Sequence, residues 1–125
     1  MNRLPEEVLK VWTAHEGPIV FSTVSAEGMP NSIYATCVGM SEDGCIVIAD
    51  NYFKKTKENV LAGSLASVLF ISPEGTSCQV KGKVEYHVEG PYFDFMKSWN
   101  PQKHPGHAAA VLRPDSCFMG SRQVY

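Results

Sequence analysis

Apolar runs alternate with short polar breaks along the chain, and most of the runs have the length and period of β-strands. The segment 19–24, IVFSTV, is rich in β-branched residues, and the segment 76–88, TSCQVKGKVEYHV, alternates between apolar and polar positions. A period of two directs one set of side chains into a core and the other set outwards. The pattern therefore predicts a mainly β protein.

The same criteria predict four more strands, at 31–40, 45–49, 66–71 and 108–112, and the tail has room for another. The segment 45–49, CIVIA, is apolar at every position, which indicates burial on both faces of a sheet. Gly82 lies inside the long predicted strand 76–88. Glycine inside a strand predicts a β-bulge or a close backbone contact.

Three segments have helical character. The first runs from Pro5 to the break at Gly17-Pro18, the second covers 56–65, and the third runs from Gly90 to about Trp99. Six to seven short antiparallel strands with about three helices in 125 residues predict a single domain, residues 1–125, built as a small barrel with helices at its rim.

Composition and charge argue against several classes of function. The chain is 44% hydrophobic, and its 11 basic and 13 acidic residues give a formal charge of −2. This balance argues against a nucleic-acid binder or an anionic-membrane binder, which would carry a basic excess. No apolar run approaches the roughly 18–20 residues of a membrane helix, and the first residues, MNRLPEEV, lack a signal-peptide core. We expect a cytoplasmic protein with no membrane or nucleic-acid partner.

Neither the cysteines nor the histidines form a recognisable metal motif. The four cysteines are widely spaced and include no C-x-x-C pair, so we expect reduced thiols and neither a disulfide nor a zinc site. His104 and His107 enclose a Pro-Gly pair that prevents a helix from aligning them, and no third ligand is close in sequence. No metal site is predicted.

The most distinctive polar stretch is DNYFKKTK, residues 50–57, between an apolar strand and a predicted helix. A helix N-terminus exposes unpaired N–H groups, and lysines add charge, so the stretch can hold a phosphate. A solvated surface with Thr56 as an ordinary N-cap explains the same residues. Tyr52 and Phe53 can either contact a ligand ring or cap the core. The residues alone leave these alternatives open.

Aromatic residues are concentrated in the third predicted helix, which contains Tyr92, Phe93, Phe95 and Trp99. Aromatic clusters of this kind occur at subunit interfaces, because they bury large areas. A dimer seam or a ligand cover is therefore one interpretation. A helix packed on the barrel is the simpler one, especially for Phe93 and Phe95.

The order of IVIADNYFKKTKENV, ASVLFIS, QVKGKVEY and EGPYFDF along the chain resembles the pyridoxamine 5′-phosphate oxidase-like family. Within that family, the short FMN-binding proteins of the split-barrel fold are most similar. The resemblance covers residues from about Ile19 to Trp99. It implies an antiparallel split barrel of Greek-key type and a homodimer that binds FMN in a cleft between its subunits.

The resemblance also implies where the flavin phosphate binds. Polar residues at the start of the second strand and a basic-polar pair after the third would hold it. In this chain these positions are Asn31, Ser32, Lys55 and Thr56, with Lys54 as a neighbouring alternative.

The other implied FMN contacts involve strand residues. The flavin ring would lie against the backbone of Ile33, Tyr34, Ala35, Ala49, Asp50 and Asn51. Residues entering the fifth strand would reach the flavin from the partner subunit, and these are Thr76, Ser77 and Gln79.

Two departures from the family oxidases bear on activity. Asn31 stands where the oxidases have arginine, and the sequence ends at Tyr125 without the arginine- and histidine-containing segment that recognises pyridoxal substrates. We therefore do not expect pyridoxamine 5′-phosphate oxidation. The resemblance implies flavin-dependent electron or hydride transfer with a small-molecule redox partner, in which no side chain is assigned as a catalytic acid or base.

Three alternatives stay open. The protein can be an FMN carrier or sensor without turnover, it can use the same fold to bind haem or a deazaflavin, or it can bind nothing and act only as a dimer module.

Overall fold

One antiparallel sheet, curled into a half-barrel, organises residues 4–125, the part of the chain that the computed structural model describes. Its strands are β1 Ile19–Val24, β2 Pro30–Ala35, β3 Val38–Met40, β4 Ile46–Asp50, β5 Leu65–Ile71, β6 Ser77–His87, β7 Ala108–Met119 and β8 Arg122–Gln123. The helices are α1 Glu6–Ala14, α2 Lys55–Leu61 and α3 Pro91–Trp99. The expected mainly β fold, an antiparallel split barrel with about three helices, is confirmed.

The strand order is β2-β1-β5-β6-β7-β4-β3, and β8 adds to β7. Sequence neighbours β2 and β3 therefore lie at opposite ends of this path, which is where the barrel is split. The predicted single strand 31–40 is wrong in this respect, because the chain leaves one edge at Ala35 and joins the other edge at Val38. The backbone N–H of Ala49 donates to the carbonyl of Cys37 at 3.0 Å and fixes the crossing point.

Two other predicted boundaries are wrong for local reasons. The second helix ends at Leu61 and not at 65, because the chain turns at Gly63, whose φ of 88° is a left-handed conformation. The predicted strand 108–112 continues to Met119 through Pro114, which pairs with Gly82 at a register shift in β6. A bulge accommodates proline because the ladder needs no N–H donor there.

The core has two layers, separated by β4 and β7. Inside the half-barrel, Ile46 and Ile48 of β4 pack with residues of α1, α2 and the other strands. On the outer side, Val47 and Ala49 pack with Met96 of α3. All five residues of β4 are buried, so its predicted burial on both faces is confirmed. A strand between two apolar layers needs apolar residues at every position.

Helix α3 is a packed helix, as the simpler interpretation of its aromatic residues proposed. Tyr92, Phe93, Phe95 and Trp99 all pack against the layer formed by β4 and β7. A Cβ atom at Gly39 would lie 2.9 Å from the Trp99 ring, so glycine in β3 makes room for the indole.

Polar residues fix the N-terminal end of α3. The Tyr92 hydroxyl donates to the Asp43 carboxylate, and the Arg113 guanidinium lies 5.4 Å from the centre of the Tyr92 ring. Arg113 also pairs with Glu85, with 2.5 Å between Nε and Oε2. The hydrogen bond from Arg113 lowers the pKa of Glu85 below its ordinary value of 4.5. This cluster joins α3 to the β3–β4 turn and to the neighbouring β6 and β7 strands.

All four cysteines are free thiols in the structure, and three of them are buried. No helix within residues 4–125 has the length and apolar character required to span a membrane.

Replacing Gly82 with alanine should destabilise the protein strongly. A Cβ atom there would lie 1.9 Å from the backbone carbonyl oxygen of Arg113, which a side-chain rotation cannot relieve. We expect Gly82→Ala to lower the free energy of unfolding by about 3 kcal/mol. Urea denaturation measures the change, and Lys83→Ala, at an exposed neighbouring position, is the control. Equal stabilities for the two variants would contradict the close contact.

The Arg113–Glu85 pair should make stability depend on acid pH. Because the folded pKa of Glu85 is depressed, its contribution is present above 4.5 and is lost as the pH falls through the lower folded pKa. Arg113→Met should therefore flatten the decrease of the urea midpoint below pH 4.5. Lys10→Met, which removes an exposed cation that has no ion-pair partner within residues 4–125, should leave the decrease unchanged. Parallel profiles for both variants and the wild type would disprove the pairing.

Candidate functional site

An open cleft of about 280 Å³ lies where β2 ends and where β4 leads into α2. Its walls come from β2, the crossing segment before β3, the end of β4 with the residues that follow, and the loop after α3. The lining residues are Ile33, Tyr34, Ala35, Thr36, Cys37, Ala49, Asn51, Tyr52, Phe53 and His104. The cleft thus gathers residues from four separate parts of the chain.

The lining has no acidic residue, lysine or arginine. Tyr34 and Tyr52 stand at its margin with exposed fractions of 78% and 72%, whereas Phe53 turns inwards and packs with Phe21 at a ring distance of 6.0 Å. Phe53 therefore caps the core, and the contact of Tyr52 with a ligand ring stays a prediction. An uncharged cleft with aromatic margins suits a flat, uncharged ring.

Most residues expected to lie against a flavin ring line this cleft. Ile33, Tyr34 and Ala35 supply one wall, and Ala49 and Asn51 supply part of another. The structure therefore brings the two predicted ring-contacting segments together, although they are distant in sequence.

Asp50, the remaining residue of this set, is buried behind the cleft. Its carboxylate accepts hydrogen bonds from the backbone N–H of Phe53 at 3.0 Å and from the Tyr86 hydroxyl at 2.5 Å. Burial, together with the bond to Asp50, raises the pKa of Tyr86. The Asp50 side chain thus holds the segment after β4 in place, and its contact with a ligand could be made only through the backbone.

The Asn51 side chain is also engaged within the protein. Its amide exchanges two hydrogen bonds of 3.0 Å with the amide of Asn100, and its oxygen accepts the backbone N–H of Gly106 at 2.9 Å. Both asparagines are buried. Since buried amides need partners, this arrangement fixes the loop after α3 against the end of β4.

The two segments predicted to bind a phosphate meet next to the cleft. The Asn31 amide donates to the Thr56 hydroxyl oxygen at 3.1 Å. Asn31 lies two residues before the lining residue Ile33, and Thr56 lies three residues after the lining residue Phe53. The Ser32 hydroxyl lies on the opposite face of β2 from Asn31, the face of Tyr34, where it is exposed and lies 2.7 Å from the Ser22 hydroxyl. One end of the cleft therefore continues into a polar surface.

The N-terminus of helix α2 contributes less to a phosphate site at this surface than the sequence suggests. Helix α2 has only seven residues, and its N-cap is Lys54, with no capping side-chain bond. The alternative in which Thr56 is an ordinary N-cap is wrong, because Thr56 lies inside the helix and is 1% exposed.

Positive charge on this surface comes from Lys54 and Lys55, both exposed. Lys55 lies 3.7 Å from Glu58, and such an exposed pair is weak enough to exchange for another anion.

Thr76, Ser77 and Gln79 do not line the cleft of this chain. Thr76 belongs to the turn before β6, where its carbonyl accepts the N–H of Ser72 at 2.9 Å, and Ser77 begins β6. Gln79 borders a shallow groove on the outer surface of the sheet. Their assignment to the partner subunit's cleft stays a prediction.

Sequence reasoning did not assign His104 or Tyr52 to a common site. The Tyr52 hydroxyl lies 3.1 Å from Nδ1 of His104, and the two rings meet edge to face at 5.6 Å. His107 is exposed outside the cleft. Within residues 4–125 no three potential metal-ligating side chains form a cluster. The His-Pro-Gly-His motif signals a tight loop that places His104 in the cleft wall.

Comparisons with known proteins support the family suggested by the sequence. A family model described as pyridoxamine 5′-phosphate oxidase matches residues 4–119. An uncharacterized protein of Methanocaldococcus jannaschii is 32% identical over 116 residues, which cover 87% of this chain and 76% of that protein.

Solved structures with the same fold have little sequence identity to this chain. HupZ of Group A Streptococcus superposes with a TM-score of 0.79 at 19% identity and covers 93% of each chain. An FMN-binding protein from Syntrophomonas wolfei has a TM-score of 0.75 at 21% identity, covering 93% of this chain and 85% of that one. The haem storage protein HutZ of Vibrio cholerae, with a TM-score of 0.66 at 14% identity, covers 94% of each chain. The match over residues 4–119 shows that this chain belongs to the pyridoxamine 5′-phosphate oxidase-like family.

Proposed function

We propose that this chain is a flavoprotein that binds FMN without a covalent bond. The observation that carries the proposal is the hydrogen bond between Asn31 and Thr56, which joins the two expected phosphate-binding segments at the end of a neutral cleft. FMN has the same division, with an anionic phosphate at one end and an uncharged flat ring at the other.

The phosphate end relies on side chains more than on the helix. Lys54 and Lys55 supply mobile positive charge, Ser32 supplies an exposed hydroxyl, and Asn31 supplies an amide adjacent to the cleft. Thr56 is buried, so its main role is to orient Asn31. Charge-assisted hydrogen bonds to phosphate are stronger than neutral ones, and two lysines can each contribute one.

The part of the cleft that would surround the flavin ring orients the cofactor, and the cofactor itself supplies the chemistry. Bound FMN would supply electron or hydride transfer, as flavins do in general. The residues of this chain would hold the ring between the wall formed by Ile33–Ala35 and the wall formed by Ala49 and Asn51. Such a site fits a flavin-dependent oxidoreductase or electron-transfer protein with a small-molecule partner. The four free thiols fit a protein that works in the reducing cytoplasm.

We also propose that a second copy completes the cleft. Helix α3 covers the outer face of β4 and β7, but large apolar side chains on the outer face of β2, β1 and β5 are exposed. A cleft of about 280 Å³ is slightly smaller than the roughly 300–1,000 Å³ of common ligand sites. A partner wall would enlarge and close it.

The strand register supports a shared position for this face and the cleft. Five outward positions form one row across the sheet, namely Tyr34, Val20, Leu69, Gln79 and Phe118. Tyr34 ends the row and also lines the cleft. A copy packed on this row would therefore border the cleft and could bring its own Gln79 towards the flavin.

The same fold also occurs in proteins with other ligands. HutZ stores haem, and an F420 reductase, whose name denotes a deazaflavin, superposes with a TM-score of 0.65 at 14% identity, covering 84% of this chain and 91% of that one. The absorption spectrum of the purified protein distinguishes a flavin from haem or F420. An FMN spectrum with NAD(P)H oxidation supports an oxidoreductase, and an FMN spectrum without turnover supports a carrier or sensor.

The phosphate site predicts a selective loss of FMN affinity. Lys54→Ala combined with Lys55→Ala should weaken FMN binding by about 2–4 kcal/mol, because two charge-assisted contacts are removed. Riboflavin, which has no phosphate, should bind the variant and the wild type equally. Fluorescence titration measures both ligands, and Lys10→Ala on α1 is the control. If FMN affinity does not change, the phosphate lies elsewhere.

The proposed dimer face gives a second prediction. Leu69→Arg places a charge in the middle of the exposed row and should convert a dimer into a monomer, with reduced FMN affinity because the cleft loses its second wall. Light scattering coupled to gel filtration measures the mass. Val88→Arg, at a 61% exposed position beyond the end of β6, should leave the dimer intact. A monomeric wild-type protein that binds FMN fully would exclude the shared cleft.

A further inference from the structure

His104 is placed in the cleft wall by a loop that is fastened along its length. Lys97 Nζ donates to the carbonyl of Pro105 at 3.0 Å, and the backbone N–H of His107 donates to the carbonyl of Asp50 at 2.8 Å. Gly106 between them is bonded to Asn51, and a Cβ atom at Gly106 would lie 2.9 Å from the Asn100 amide nitrogen. The three residues after His104 are thus held, and the backbone N–H of His104 itself donates to the carbonyl of Pro101 at 3.0 Å, so the position of its ring is well defined.

The Tyr52 hydroxyl orients this ring. Its oxygen lies 3.1 Å from Nδ1 of His104, so Nδ1 is engaged, while Nε2 has no hydrogen-bond partner within residues 4–125. A phenol hydroxyl can donate to a neutral Nδ1 or accept from a protonated one. In the first case the neutral ring carries its hydrogen on Nε2. In the second case Nε2 of the neutral ring is an acceptor, and it carries a hydrogen only in the imidazolium. When the Tyr52 hydroxyl donates to Nδ1, Nε2 is therefore a hydrogen-bond donor.

The other polar residues that line the cleft offer a ligand fewer hydrogen-bond donors. The Asn51 amide is used by Asn100 and Gly106, and the lining has no lysine or arginine. A ligand ring with carbonyl oxygens or ring nitrogens therefore meets few side-chain donors, and His104 is the one held in place by a second side chain.

We propose that His104 recognises the ring end of the bound ligand, by donating a hydrogen bond from Nε2 to a carbonyl oxygen or ring nitrogen of a planar heteroaromatic group. Tyr52 is the positioning residue: its hydroxyl donates to Nδ1 and thereby keeps the hydrogen of the neutral ring on Nε2. This inference rests on the proposed function, since it requires the ring to occupy the cleft. It adds a specificity element for the ring to the separate phosphate contacts at Lys54 and Lys55.

The test compares two ligands in four variants. FMN and riboflavin have the same ring, so loss of a ring contact should weaken both equally, whereas loss of a phosphate contact weakens FMN alone. We expect His104→Phe to weaken both by about tenfold, the effect of one lost hydrogen bond to a buried ligand. His104→Gln, which keeps an N–H donor, should recover part of the affinity, and Tyr52→Phe should show a smaller loss. His107→Gln, exposed in the same loop, is the control.

Nitrogen NMR of the full-length protein supplies a readout other than affinity. In the free protein the neutral His104 ring should carry its hydrogen on Nε2. Addition of flavin should shift the Nε2 resonance of His104 in the wild type. In Tyr52→Phe the tautomer preference should weaken.

The outcomes separate this inference from the proposed function. If the wild type binds both flavins and His104→Phe binds them equally well, the role of His104 is disproved while FMN binding stands. A flavin-bound wild type in which Nε2 does not respond also disproves it. If the wild type binds neither flavin, both proposals fail together. Circular dichroism of each variant verifies that an affinity loss does not come from unfolding.

Discussion

The burial of β4 on both faces is the constraint on which the rest of the structure depends. Ile46 and Ile48 complete the interior of the half-barrel, while Val47 and Ala49 require a second apolar layer, which α3 supplies. Because α3 packs there, the loop that follows it must return across the end of β4 to begin β7. That return path brings His104 beside Tyr52. The cleft is thus a consequence of how one apolar strand is covered.

The transition from apolar to polar residues at the end of β4 then makes the cleft rigid. Asp50 and Asn51 are buried where the strand ends, and a buried polar group without partners is costly. Each of them satisfies its side chain through backbone groups of adjacent loops and through Tyr86 or Asn100. Side chains that the sequence suggested as ligand contacts therefore support the walls, and the lining itself stays free of charge.

Local patterns predicted the features that depend on local physics. The apolar run of β4 and the irregularity at Gly82 follow from side-chain period and from steric demand, and both are found in the structure. The break between β2 and β3 is not visible in NSIYATCVGM, because no glycine or proline lies between Ala35 and Val38, and the crossing is dictated by the pairing of β3 with β4. The contact of Tyr52 with His104 spans 52 positions of the chain, so no sequence window contains it.

The distribution of charge and exposure connects the proposed ligand binding with the proposed dimer. Helix α3 covers only part of the outer face of the sheet, namely β4 and β7. The remaining face ends at Tyr34, which is also the rim of the cleft. An apolar face that is open to solvent favours association, and association at this face would exclude water from the neutral ring site while the lysines after β4 stay at its edge. The same uncovered surface would thus link the stability of the proposed dimer to the completion of the proposed FMN site.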